Sequence, residues 1–129
     1  MKKSVYHLGI DLTLEILNGK WKPSIICHLG AGALRHDQLM GKIDGISQKV
    51  LTQQLNSLIE EGIVVKNDNQ AFPRVVTYSL TSTGRSLRKV LIEMSLWGEE
   101  RARQLTSEGV PTKVEYQEPI GYYDMDKGE

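Results

Sequence analysis

Five stretches of the chain carry apolar residues at helical spacing, two carry them at strand spacing, and the end of the chain carries neither. Between Gly9 and Leu17, Ile10, Leu14 and Leu17 share one helical face while Leu12 and Ile16 lie nearly opposite, so a helix here has two apolar sides to cover. Asn18-Gly19 ends it, and Trp21-Lys22-Pro23 opens a second helix that runs to Gly30, with proline in its first turn. After the Gly30-Ala31-Gly32 turn, Arg35 to Ile43 reads as a short third helix with Leu39, Met40 and Ile43 inward, closed by Asp44-Gly45-Ile46. Ser47 caps a fourth helix reaching Glu61, in which Leu51, Leu55, Leu58 and Ile59 form the apolar stripe and Lys49, Thr52, Gln53 and Asn56 project from the other side. Ile63 to Lys66 and Val75 to Leu80 are strand-like and enclose a long polar tip, Asn67 to Arg74, as in a hairpin. Thr81 or Ser82 then caps a last helix continuing to about Leu105. It places Leu87, Val90, Leu91, Met94, Trp97 and Leu105 on one face and Ile92 and Leu96 on the other.

This order predicts a mainly α fold with a small β-ribbon (α+β): a winged helix-turn-helix with N- and C-terminal helices left over for dimerisation. At 129 residues the chain fits one domain, expected over residues 1–107, followed by an acidic, irregular tail over 108–129. The second apolar sides of the first and last helices exceed what one small protomer can bury. Leu12, Ile16, Ile92 and Leu96 are therefore the expected contacts of a homodimer.

Lys plus Arg equals Asp plus Glu at 16 each, so net charge alone nominates neither nucleic acid nor an acidic substrate. The distribution is uneven. Residues 1–107 hold 14 basic and 10 acidic side chains, and the tail holds six acidic against Lys113 and Lys127. The only cysteine, Cys27, leaves no intramolecular disulfide to form, which fits a reducing cytoplasm. No apolar run reaches the roughly 18 residues of a membrane span, and Asp11 and Glu15 interrupt the apolar positions next to the basic N-terminus, so neither membrane association nor a secretory leader is expected.

Candidate chemistry concentrates on the fourth helix and the hairpin. An α-helix fits the major groove of double-stranded DNA, and Ser47, Gln48, Lys49, Thr52 and Gln53 have the hydrogen-bonding groups to reach base edges there. Arg74, the only full positive charge between Asn67 and Thr83, is the expected wing contact to phosphate or minor groove. A face whose only charge is Lys49 is also compatible with the runner-up reading, a winged module that binds protein instead of DNA. No Gly-rich phosphate loop, nucleophile elbow or zinc signature is present, so no enzyme activity, catalytic residue or cofactor is expected; Asp37, Glu60 and Glu61 read as solvated helix charges. Cys27 with His7, His28 and His36 lacks metal-ligand spacing, and Trp21 and Trp97 sit where helices must pack.

Taken together, Gly19-Lys20-Trp21-Lys22, the run Gly45 to Leu55, Glu61-Gly62-Ile63-Val64, Pro73-Arg74-Val75 and Tyr78-Ser79-Leu80-Thr81 resemble the HxlR family of bacterial transcriptional regulators. The resemblance runs from about Leu8 to Ala102. It implies a homodimeric winged helix protein of MarR-like architecture that binds operator DNA; two-fold pairing of the dimer then predicts an inverted-repeat operator, and repression is the commoner outcome when a small dimer occludes a promoter. It puts Ser47, Gln48, Lys49, Thr52 and Gln53 on the recognition helix and Arg74 in the wing, and leaves room for an unidentified small-molecule effector. Many members of the family carry a Cys-Pro pair near the N-terminus, some using that cysteine as a sensor. Leu8-Gly9 stands at those positions here, so that mode of sensing is excluded, and Cys27 is expected to pack in the core.

Overall fold

The computed structural model describes residues 4–115 and Tyr122. In chain order the elements are α1 (Gly9–Ile16), α2 (Lys22–Leu29), α3 (His36–Lys42), α4 (Gln48–Glu60), β1 (Val64–Asp68), β2 (Val76–Leu80), α5 (Ser82–Arg85) and α6 (Arg88–Ser107). The core is built from the inward residues of the middle elements: Ile25, Ile26 and Leu29 of α2, Leu39 of α3, Leu51, Leu55 and Leu58 of α4, and Ile63, Val64 and Leu80 around the ribbon. Ile43, at the end of α3, is buried with them, and Met40 packs against the cluster half-buried.

Local signals set the element ends. The Ser47 hydroxyl accepts from the Val50 amide at 3.1 Å, satisfying one of the amides that the first turn of α4 leaves free. Gln38 accepts from the Arg35 amide at 2.8 Å and Asp11 from the Leu8 amide at 3.0 Å, so α3 and α1 are each held at their start by a side chain three residues on. β1 and β2 pair antiparallel from Val64 opposite Leu80 to Asp68 opposite Val76. Leu34, in the turn before α3, adds a bridge to the outer edge of β2 through Tyr78, with amide-to-carbonyl distances of 3.0 and 2.7 Å. That bridge ties the ribbon to the helix-turn-helix and has no counterpart in the strand pattern of the sequence.

The last helix differs from its sequence expectation. It is broken at Ser86-Leu87, where the amides of Ser86 and Leu87 bond three residues back, to Thr83 and Gly84, and tighten the chain into a short turn before α6 begins. Thr81 anchors the break: its hydroxyl accepts from the Gly84 amide at 3.0 Å and donates to the Gly62 carbonyl at 2.5 Å, which joins the end of β2 to the start of β1.

α6 then presents Leu91, Ile92, Glu99 and Ala102 inward and leaves Val90, Met94, Leu96 and Trp97 outward. This corrects the expected division of the helix. Ile92 is only 8% exposed and belongs to the protomer's own core, whereas Val90, Met94 and Trp97, expected beside Leu91, face away from it. At 100° per residue the two groups lie on different sides of one helix, and the core selects the arc centred between Leu91 and Ile92. In α1, Ile16 packs half-buried against the core, while Leu8, Ile10, Leu12 and Leu14 are exposed and no residue of the helix is fully buried.

The acidic tail falls mostly outside the described residues. Residues 110–114 have no regular structure, and Tyr122 is buried on α2, its hydroxyl donating to the Pro23 carbonyl at 2.8 Å. Burial raises the Tyr122 phenol above its ordinary range.

Partial burial, and then the nearby positive charge of Lys42, lower the pKa of His28 from its ordinary 6.5. The folded chain therefore binds this proton less readily than the unfolded chain. The stability contributed by neutral His28 is complete above about pH 6.5 and is lost as pH falls through the lower folded-state value. Thermal denaturation should accordingly show a falling Tm on mild acidification, with a smaller fall in His28→Gln. Identical pH profiles for the two proteins would contradict this assignment.

Candidate nucleic-acid interface

The outer face of α4 carries Gln48, Lys49, Thr52, Gln53 and Asn56, all exposed, with Ser47 exposed at its cap. They occupy roughly 140° of the helix circumference, opposite the arc that Leu51, Leu55 and Leu58 bury. The leucines thus fix the rotation of the helix, and the polar side chains follow as a rigid row. Gly45, at φ +86, lets the chain turn sharply between α3 and α4 against the Trp21 ring.

One of the expected contacts has a partner that sequence reasoning missed. His36 Nε2 lies 3.1 Å from the Thr52 hydroxyl, so the first residue of α3 holds a side chain of the exposed α4 face in place. Spacing offered no clue to this pairing, because sixteen positions separate the two residues. The Ser47 hydroxyl is engaged by its cap, but its own hydrogen remains available to donate.

The ribbon forms the second part of the surface. Arg74 reaches back to Asp68, Nη2 to Oδ2 at 2.5 Å and Nε to both carboxylate oxygens at 3.2 Å. This hydrogen bond holds the Asp68 carboxyl below the usual carboxylate range and raises the Arg74 guanidinium further. Asp68 also accepts from the Gln70 amide, and Asn69 accepts from the amides of Ala71 and Val75 while donating to the Pro73 carbonyl. Gln70 takes up a left-handed φ of 50° within this turn. The tip is therefore an ordered loop in which the expected wing cation is already half-neutralised by a carboxylate.

A capped helix with an uncharged polar face, set across a sharp turn from a shorter helix and flanked by an ordered two-stranded ribbon, defines a winged helix-turn-helix DNA-binding domain. The HxlR-like helix-turn-helix family model matches residues 16–106, and the chain belongs to that family. Its members are DNA-binding transcriptional regulators, not enzymes.

The chain is 39% identical over 98 residues to YtcD, an HTH-type transcriptional regulator of Bacillus subtilis, covering 76% of this chain and 78% of that one. Its fold is similar to the reduced form of the redox regulator HypR, with a TM-score of 0.72, 34% identity, and coverage of 78% of this chain and 99% of that one. It is also similar to a transcriptional regulator of the MarR family from Enterococcus faecalis V583, with a TM-score of 0.70, 33% identity, and coverage of 81% and 99%. Among the described residues no helix is long and apolar enough to cross a membrane.

Proposed function

We propose that the protein is a cytoplasmic homodimeric repressor that binds an inverted-repeat operator through two copies of α4, one in each of two successive major-groove faces. The observation that carries the reading is the exposed row Gln48, Lys49, Thr52, Gln53 on a helix whose other side is locked in the core. Gln48 or Gln53 pairs with adenine in bidentate fashion, Lys49 contacts phosphate or guanine, and Ser47 donates to the backbone. Arg74 supplies a wing contact that attracts all sequences alike, weakened by Asp68 beneath it.

The dimer is supported by α1 and α6. An eight-residue helix is marginal in water without cover, yet α1 has no fully buried residue and exposes Leu8, Ile10, Leu12 and Leu14. A second copy of the chain would supply the missing cover there and over Val90, Met94, Leu96 and Trp97 of α6. Ile92 leaves the proposed interface because it serves the core, and Leu12, Ile16 and Leu96 stay in it. We assign residues 1–107 to this DNA-binding and dimerising unit and residues 108–129 to the tail, with Tyr122 as its attachment to α2. HypR is a redox regulator by name. The half-buried Cys27 of α2 is the only cysteine here, and redox control is no part of the reading.

The test is gel retardation of the DNA upstream of the protein's own or its neighbour's coding region at physiological salt, with random DNA in excess. Retardation that the competitor cannot remove supports operator binding, and its absence favours the protein-binding winged module. Gln53→Ala should cost about 1–3 kcal/mol and relax preference at one base pair per half-site, while Lys49→Ala should flatten the salt dependence. Unchanged affinity and specificity in both variants would remove α4 from the groove.

A further inference from the structure

Phe72 is 99% exposed, the most exposed of the large apolar side chains among the described residues. It stands at the tip of the ribbon, in the turn between β1 and β2. An aromatic ring at a loop tip ordinarily folds back onto its own chain to escape water. Here the ring stays in solvent, while Asp68 and Asn69 hold the backbone on both sides of Phe72 through the amides of Gln70, Ala71 and Val75 and the carbonyl of Pro73. The ring is displayed on an ordered support, so little further ordering is needed when it meets a partner.

The neighbouring chemistry indicates which partner. Asn69 is used up within the turn and Asn67 donates to the Ser79 hydroxyl, but exposed Gln70 supplies an amide of the kind that reads the acceptor-rich edge of A·T pairs in the minor groove. Asp68 offsets the charge of Arg74, so electrostatic attraction is a poor source of affinity at this tip. An apolar ring can contribute there without charge, by entering between two bases. We propose that Phe72 is a wedge that inserts from the minor groove into a base step beside each half-site and bends the DNA toward the major groove. The proposal rests on the DNA-binding reading above and adds to it a residue that sets shape preference, with flexible pyrimidine–purine steps favoured at the wedge.

The experiment uses full-length protein and duplexes that the wild type itself selects from a randomised library, labelled at their ends for energy transfer and carrying 2-aminopurine at successive steps. The wild type should bend the duplex by roughly 20–90° and brighten the 2-aminopurine at one step per half-site as that base unstacks. Phe72→Ala, at an exposed position, should keep the wild-type Tm. It should bind about tenfold more weakly, with the bend and the brightening lost. Its salt dependence should match the wild type, because no phosphate contact is removed. Phe72→Leu should retain most of the bend. Equal bending by wild type and Phe72→Ala overturns the wedge whatever their affinities, as does a flatter salt dependence in the variant. Failure of the wild type to select any duplex overturns the DNA-binding reading itself, a result that cannot be confused with the first.

Discussion

Replacing Met94 and Trp97 together by Asp should leave a folded monomer that no longer retards operator DNA. Trp97 is 71% exposed and Met94 half-exposed, so neither charge is forced into the protomer's own core. In the proposed dimer the same two positions are dry, and each large apolar side chain contributes about 1.5–3 kcal/mol when fully removed from water. Two copies each of Val90, Met94 and Trp97 already weigh against an association cost of about 4–15 kcal/mol, and the exposed leucines and isoleucine of α1 add to them. Four buried carboxylates would reverse that balance. A monomer keeps α4 and the ribbon but holds only one half-site, and it forgoes an avidity gain on the order of a hundredfold or more. Sedimentation equilibrium and gel retardation on the same samples check both halves of the expectation. Wild-type protein that sediments as a monomer at micromolar concentration would refute it. The companion substitution Ile92→Asp separates the two sides of α6, because it should unfold the protomer instead of dissociating a dimer.

The second large effect is expected at Gly84, where substitution by Ala should destabilise the fold by about 3 kcal/mol or more. A Cβ built there collides with the Ile63 carbonyl oxygen, a backbone atom that cannot swing aside like the end of a flexible side chain. That same carbonyl accepts from the Thr81 amide at 3.0 Å, and the Thr81 hydroxyl donates to the Gly62 carbonyl, so any retreat of the strand opens the junction between ribbon and α5. For a domain of this size the loss corresponds to a fall in Tm on the order of 10 °C. A ribbon pushed out of register with α4 would also lower DNA affinity while every groove residue is intact. Thermal denaturation by circular dichroism reads the first effect, and Tm within a degree or two of wild type would show that the contact yields more easily than its geometry implies.

Much of this architecture is legible in the order of residues because it rests on neighbours in the chain. The stripe of Leu51, Leu55 and Leu58 defines both the core side of α4 and, by the fixed rotation of a helix, the polar side that carries Gln48, Lys49, Thr52 and Gln53. Ser47 caps the helix three residues before the amide it satisfies, and Gly45 and Gly62 mark the turns on either side of it. The tertiary structure decided what depends on residues far apart. Which arc of α6 faces inward depends on where α5 ends and what the core requires, so Ile92 went to the core and Trp97 to the surface, although both satisfy an apolar stripe. The bridge of Leu34 to Tyr78, the hold of His36 on Thr52, and the seat of Tyr122 on the Pro23 carbonyl join positions with no common period. Periodicity reports which residues share a side of one element, while which side is buried is set by the elements that pack against it.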